Sequence, residues 1–276
     1  ELKMINVKLN NGEEMPILGL GIYKITDKNE LYNAVKWAVE SGYRKFDTAQ
    51  FYDNEKELGE AIKNSPLKRE EVFITTKIWN TNQGYKKATE SFEESLKKLN
   101  MDYVDLLLIH WPGQKKERYL ETWKALEEIY KNKKARAIGV SNFEIKHLND
   151  IFENCSVIPA VNQIERHPNL NQYELIEFCK KHNMFVEAWS PLGRGKFIEN
   201  ETLKEIAKKY NKTVAQIILR WNIENKIVVI PKSVKKERIE ENINIFDFKL
   251  DGEDIKKIDS MNNNERTGFN PLEFDF

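Results

Sequence analysis

Short apolar runs and amphipathic stretches alternate along the chain from one end to the other. The runs are Ile17–Leu20, Tyr43–Phe46, Val72–Ile78, Val104–Ile109, Ala135–Val140, Ala160–Ile164, Met184–Ala188 and Ile227–Ile230, eight in all. Their nearly unbroken apolar character suits strands buried on both faces. Between them lie stripes such as Trp123, Leu126, Ile129, Tyr130 and Val214, Ile217, Ile218, Trp221, whose i, i+3, i+4 spacing predicts helices with one face inward. Thr213-Val-Ala-Gln216 reads as a capping box and predicts a helix start. Strands alternating with helices imply a parallel sheet, and 276 residues over eight units is about 35 per unit, the size of a βαβ repeat.

An open doubly wound sheet would also alternate. Eight strands without a second domain favour an α/β fold of the closed (β/α)8 TIM barrel kind, a single domain over residues 1–276. Val7–Leu9 and Glu14–Ile17, joined by Asn10-Asn11-Gly12, predict an N-terminal β-hairpin placed to plug the barrel's N-terminal mouth. Asp251–Met261 predicts an extra C-terminal helix, followed by a tail rich in Asn, Pro and Phe.

Composition narrows the class of partner. The chain carries 44 basic and 44 acidic residues, a net charge of zero, which argues against nucleic acid or an anionic membrane as main partner. The 2 cysteines, Cys155 and Cys179, have no CxxC spacing and fit a reducing compartment better than a disulfide scaffold. No apolar run approaches the roughly 18 residues of a membrane span, and the N-terminus lacks a signal-peptide pattern. The expectation is a soluble cytoplasmic protein, monomeric and without a metal, acting on a small molecule.

In a barrel of this kind reactive groups stand at the C-terminal ends of the strands. The second run ends in Asp47, with Tyr52 soon after; the third at Lys77; the fourth at His110. The fifth ends at Ser141-Asn142, the sixth contains Gln163, the seventh ends at Trp189-Ser190 and the eighth leads to Lys232-Ser233. Singly, most have a bland reading. Asp47-Thr48 suits a turn cap, Tyr52 a surface tyrosine, His110 a satisfied core histidine, and Ser141-Asn-Phe-Glu144 a capping box. Lys77 is harder to dismiss, because within Val-Phe-Ile-Thr-Thr-Lys-Ile it would be buried and need a partner, for which Asp47 is the nearest candidate. Together Tyr, Lys, Asp and His at one barrel mouth make a proton-transfer site. A lysine ammonium stabilises a phenolate, a carboxylate holds the lysine, and a histidine orients a carbonyl. Such a group can protonate a nascent alkoxide but donates no hydride, so a cofactor is required.

These residues resemble the aldo-keto reductases along nearly the whole chain. The likeness runs through Gly42-Tyr-Arg-Lys-Phe-Asp47-Thr-Ala-Gln-Phe-Tyr52-Asp-Asn-Glu55, Ile109-His110-Trp111-Pro112, Gly139-Val-Ser141-Asn142-Phe143 and Val161-Asn-Gln163. It continues in Ala188-Trp189-Ser-Pro-Leu192 and Ile230-Pro-Lys232-Ser233-Val234. The closest likeness is to bacterial-type reductases of glyoxal, methylglyoxal and diketogluconate. The resemblance implies Tyr52 as general acid, activated by Lys77 and Asp47, with His110 orienting the carbonyl. It also implies NADPH extended across the barrel mouth. Ser141, Asn142 and Gln163 would hold the carboxamide and Trp189 would stack on the nicotinamide. Gly21, Ile22 and Tyr23, together with Ser190, Leu192 and Arg194, would flank cofactor and pocket.

The residues agree that no Rossmann-type pyrophosphate site exists, since GxGxxG is absent. Next to Ile230, Lys232, Ser233 and Val234, a predicted helix carries Arg238, Glu241 and Asn242 on one face, with Ile239, Ile243 and Phe246 opposite. Lys232, Ser233 and Arg238 suit a 2′-phosphate, which favours NADPH over NADH; the family likeness sets Glu241 and Asn242 on the adenine. Tyr23, Trp79, His110 and Trp111 are the expected pocket walls. Short loops favour small aldehydes, dicarbonyls or sugar-derived ketones, and Phe269 stands where bacterial relatives usually have proline. Two rivals are a catalytically weak nucleotide-binding regulatory or structural protein on the same fold, and a cofactor-free lyase or isomerase using Lys77 as a Schiff-base amine.

Overall fold

The computed structural model describes residues 4–276. Near its start β1 (Asn6–Lys8) and β2 (Glu14–Pro16) form the expected antiparallel hairpin, with Val7 opposite Met15. Met15 is fully buried, and the turn grips the body of the molecule: Asn10 Nδ2 donates to the Pro159 carbonyl at 3.0 Å and Asn11 Nδ2 to the Arg136 carbonyl at 2.9 Å.

The main sheet has eight strands: β3 (Leu20–Gly21), β4 (Lys45–Asp47), β5 (Phe73–Ile78), β6 (Val104–Ile109), β7 (Ala135–Ser141), β8 (Val161–Glu165), β9 (Phe185–Trp189) and β10 (Val228–Val229). They lie side by side in sequence order, all parallel. Pro159 and Arg136 stand at the N-terminal ends of β8 and β7, so the hairpin covers that end of the sheet, as predicted. The first and last strands also meet. Parallel bridges pair Leu18 with Val229 and Gly21 with Lys232, and Gly19 N donates to the Val229 carbonyl at 2.9 Å. Gly21 permits this seam, because a Cβ there would sit 2.9 Å from the Ile230 carbonyl oxygen. The curled sheet is the arrangement expected of a (β/α)8 barrel.

The helices are α1 (Lys28–Ser41), α2 (Glu55–Lys63), α3 (Tyr85–Leu99), α4 (Lys116–Lys131), α5 (Ile145–Asn154), α6 (Tyr173–Lys181), α7 (Glu201–Tyr210), α8 (Val214–Glu224), α9 (Lys236–Ile243) and α10 (Gly252–Asp259). Local chemistry sets their ends. Asp27 accepts from Glu30 N at the start of α1, and Gly42, at φ 105°, takes the left-handed turn that closes it. The Thr213 capping box forms as predicted: Gln216 N donates to Thr213 Oγ1 at 3.2 Å and Thr213 N to Gln216 Oε1 at 3.0 Å. Ser141 does not cap a helix. It is still paired in β7, its hydroxyl donating to the Gln163 carbonyl at 2.8 Å, and α5 starts later, with Glu144 as N-cap and His147 Nδ1 accepting from Glu144 N at 2.9 Å. α10 is the helix expected after the last unit. α7 is a further addition, packed through Leu203 and Ile206 against Ile217, Trp221 and Ile258 in a second core.

Candidate active site

Side chains two apart on a strand share a face, and one such face of the curled sheet is charged. Lys45 and Asp47 on β4, Lys77 on β5, Gln163 on β8 and Glu187 on β9 are all buried. Lys45 pairs with Glu187. Gln163 Nε2 donates to Glu187 Oε1 at 2.7 Å and to Asp47 Oδ2 at 2.8 Å, so one amide joins two carboxylates. Lys77 Nζ then donates to Asp47 Oδ1 at 2.6 Å, to the Thr48 carbonyl at 2.9 Å and to the Tyr52 hydroxyl at 3.0 Å. Three acceptors match the three protons of an ammonium, which is the partner set a buried lysine requires. Tyr52 ends the single turn Gln50–Tyr52 that follows β4, and this short connection brings the phenol back over the strand ends.

The electrostatics follow from that geometry. Burial alone would discharge Lys77, but the Asp47 carboxylate, Tyr52 and their hydrogen bonds outweigh it and hold the lysine above its ordinary range. Burial raises the Tyr52 phenol, and the Lys77 charge opposes this without cancelling it, so the phenol stays protonated at neutral pH. His110, immediately after β6, stands with its ring edge-on to Tyr52 at 5.8 Å and to Trp79 at 5.1 Å. Burial first, and the Lys77 ammonium second, push its pKa well below the usual value, leaving it neutral. Its Nδ1 has no partner among the described residues.

Beside this cluster Asn142 adopts φ 61°, a left-handed conformation that asparagine tolerates. From there its Nδ2 donates to the His110 carbonyl at 2.9 Å, and its Oδ1 accepts from Trp189 Nε1 at 2.8 Å. Ser190 follows Trp189 at φ 46°. Trp79 stacks on Phe51 at 4.0 Å, and Tyr23 lies 5.2 Å from Tyr52. Trp111, expected to line an open pocket, is buried against Phe274 at 4.8 Å, with Phe269 6.1 Å away.

The remaining predicted residues lie along the same rim but outside the hydrogen-bonded cluster. Gly21 and Ile22 are buried at the end of β3, with Ile22 N donating to the Asp47 carbonyl at 3.2 Å. Ile230 is buried, Leu192 and Val234 half-buried, and Arg194, at φ 58°, exposed. Lys232 is held below its ordinary pKa by partial burial, then by the Lys24 ammonium, with Arg194 adding to it. Ser233 Oγ accepts from Lys235 N at 3.0 Å. On α9 Arg238 is exposed, Glu241 half-buried and Asn242 buried. Sequence reasoning passed over Lys45, Glu187, Phe51 and Glu165. For the three charged residues the signal was the one that exposed Lys77, a charge within or ending an apolar run.

The match to known proteins extends well beyond this cluster. A profile of the aldo/keto reductase family matches residues 17–263. The chain belongs to the aldo/keto reductase family. Among its relatives, the glyoxal reductase of Bacillus subtilis (strain 168) is 52% identical over 270 residues, covering 98% of this chain and 97% of its own length. The aldo-keto reductase MGS-M4, from a Medee basin deep-sea metagenome library, superposes with a TM-score of 0.95 at 49% identity, covering 98% of this chain and 100% of its own. A variant of Gox0644 solved in complex with NADPH gives a TM-score of 0.94 at 41% identity, covering 99% and 100%. This family member thus matches a glyoxal reductase over nearly its whole length and shares the fold of a relative solved with NADPH bound.

Proposed function

We propose that the protein is an NADPH-dependent carbonyl reductase that converts small aldehydes, dicarbonyls such as glyoxal and sugar-derived ketones to alcohols. The observation that carries this reading is the Tyr52–Lys77–Asp47 chain, with contacts of 3.0 and 2.6 Å and neutral His110 beside the phenol. Tyr52 donates its proton to the substrate oxygen as negative charge develops there. Lys77 stabilises the phenolate left behind, and Asp47 keeps Lys77 charged and aimed. His110 donates a hydrogen bond to the same carbonyl oxygen, and its neutrality leaves Tyr52 as the acid.

The rim suits a dinucleotide phosphate. After partial burial, the charges of Lys24 and Arg194 lower the Lys232 pKa, so the three cations stand near one another as a donor set for phosphate oxygens. NADPH bound there supplies the hydride that no side chain can. Trp189, braced by Asn142, would stack on the nicotinamide, and Ser141, Asn142 and Gln163 would hold its carboxamide. Arg238 and Ser233 would hold the 2′-phosphate, and Glu241 with Asn242 the adenine. Tyr23, Phe51 and Trp79 give the substrate apolar walls.

The test is NADPH consumption with a panel of small aldehydes, dicarbonyls and sugar ketones. Tyr52→Phe is expected to lower kcat by about 10²- to 10⁴-fold, the usual contribution of a positioned acid, while NADPH still quenches protein fluorescence. Undiminished turnover in that variant would remove Tyr52 from the mechanism.

A further inference from the structure

Glu165 is the last residue of β8 and lies on the same strand face as Gln163, at the rim. It is a buried carboxylate with no lysine or arginine paired to it among the described residues. Instead it is saturated by four donors. Its Oε2 accepts from Thr267 N at 2.7 Å, from Thr267 Oγ1 at 2.9 Å and from His167 Nε2 at 2.8 Å; its Oε1 accepts from Gly268 N at 3.0 Å. Burial works to raise its pKa, but the His167 bond and the two backbone N–H groups outweigh burial and hold it below the ordinary value. A carboxylate so placed is a fastening for the chain end, more than 100 residues downstream.

That fastening has a consequence at Trp189, which pairs with Glu165 in the sheet register. Gly268 packs closely against the benzo end of the indole: a Cβ at Gly268 would come 2.5 Å from Trp189 Cη2 and 3.4 Å from Cζ2. The indole is therefore held on two sides, by Asn142 at its nitrogen and by the Gly268 backbone at its far edge. Beyond Gly268 the strap continues to Phe269, which stacks on Phe274 at 4.4 Å beside Trp111. Farther along, Gln114 Nε2 donates to the Phe274 carbonyl at 2.9 Å and Arg118 Nη1 to the Phe276 carbonyl at 3.0 Å.

We infer that Glu165 is a positioning residue, which by binding the backbone of Thr267 and Gly268 fixes both the plane of Trp189 and the aromatic outer wall carried by Phe269. It touches neither substrate nor cofactor and acts through the strap. The assignment of Trp189 and Phe269 to the reaction rests on the reductase reading above; the fastening itself does not.

The experiment pairs a local readout with a kinetic one, on Glu165→Gln, Glu165→Ala and Gly268→Ala. Amide hydrogen exchange of the protein alone reports the fastening. Glu165→Ala is expected to speed exchange at Thr267 and Gly268 by about tenfold or more, the equivalent of one or two lost hydrogen bonds, with the β5 and β6 amides unchanged. Glu165→Gln, which keeps the volume and one acceptor, should fall between. In Gly268→Ala the added methyl meets the indole at 2.5 Å and Glu165 Oε1 only at 3.3 Å, so the indole should be displaced much more than the fastening, raising the NADPH Kd about tenfold. For turnover, the Glu165 variants are expected to raise KM for phenylglyoxal about tenfold and for glyoxal about twofold, with kcat nearly kept, because only the larger substrate reaches the outer wall. Unchanged exchange at Thr267 and Gly268 in Glu165→Ala would overturn the inference. So would a uniform loss of exchange protection accompanied by equal effects on both substrates, the mark of a merely structural role. If the wild-type protein reduced neither aldehyde, the reductase reading would fail, while exchange at Thr267 and Gly268 would still decide whether Glu165 holds the strap.

Discussion

In the proposed mechanism two opposing influences of similar origin fit Tyr52 for the role of acid. The low-dielectric surroundings that raise its pKa also strengthen the pull of Lys77 on the phenolate once the proton has left. The group thus holds its proton before the reaction and gives it up at modest cost during it. Lys77 was legible in the sequence because a cation inside an apolar run demands an explanation, and Asp47 followed as its partner. Phe51 was not legible, since nothing in the sequence says which of two adjacent aromatics on a one-turn helix faces Trp79. Arg238 belongs to the same scale. It is exposed on α9 and its side chain makes no ion pair among the described residues, so it is free to meet a phosphate. Arg238→Ala is expected to weaken NADPH by about 10- to 100-fold and to leave NADH nearly unchanged, as equilibrium fluorescence titrations with both cofactors would show. Equal weakening of the two would place the arginine elsewhere than at the 2′-phosphate.

At the scale of elements, the apolar runs located the strands to within two or three residues, with β6 matched end to end. At the C-terminal ends most offsets share a direction, β10 excepted, which stops at Val229. Pairing in β4, β7, β8 and β9 continues through Asp47, Ser141, Glu165 and Trp189, because a backbone ladder runs on past the point where apolar character stops. That is also why the capping motif at Ser141 misled: a serine still engaged in a ladder has no free geometry for a cap. The true cap of α5 is unusual, with a histidine where Glu or Gln normally closes the box. His147 Nδ1 must be unprotonated to accept from Glu144 N, and burial, then the neighbouring Lys146, lower its pKa from 6.5 to about 4. A group depressed in the folded state stabilises fully above its unfolded pKa, and that stabilisation is lost as pH falls from about 6.5 toward 4. His147→Gln keeps an acceptor at the same position and does not titrate. The variant is therefore expected to lose less stability than wild type between pH 7 and pH 4.5, by up to about 2 kcal/mol, in urea unfolding at both pH values. Parallel losses in the two proteins would show that the cap does not sense protonation.

For the molecule as a whole, the alternation of strands and helices announced the sheet, and the Asn10-Asn11-Gly12 turn announced the hairpin at its N-terminal end. The second added helix, α7, and the course of the chain end across the rim were hidden, because both depend on contacts between distant segments. The buried charges were only half visible for the same reason: Lys45 and Glu187 are 142 positions apart and become a pair only when β4 and β9 face each other within the curled sheet. Removing one member of such a pair leaves its partner buried and unmatched. Glu187→Ala is expected to cost about 3–5 kcal/mol in equilibrium unfolding, and Lys45→Met with Glu187→Leu to recover most of that, since two apolar residues leave no orphan charge. Equal instability of the single and double variants would mean that packing, and not charge, is what the pair supplies.

Gln163 ties this structural pair to Asp47, and Lys77 ties Asp47 to Tyr52, so the proposed reaction centre is one end of the ion network that fills the sheet. For the history of such a protein this matters more than for any single turnover. A lineage that no longer needed the activity could not shed these charges one at a time, because each single loss leaves a partner buried and unmatched, and so would keep them after their chemistry had lapsed. Tyr52, at the end of the chain of contacts, is the member whose loss would cost the fold least. A descendant that had given up reduction would be recognised by a change there, with Asp47 and Lys77 still in place.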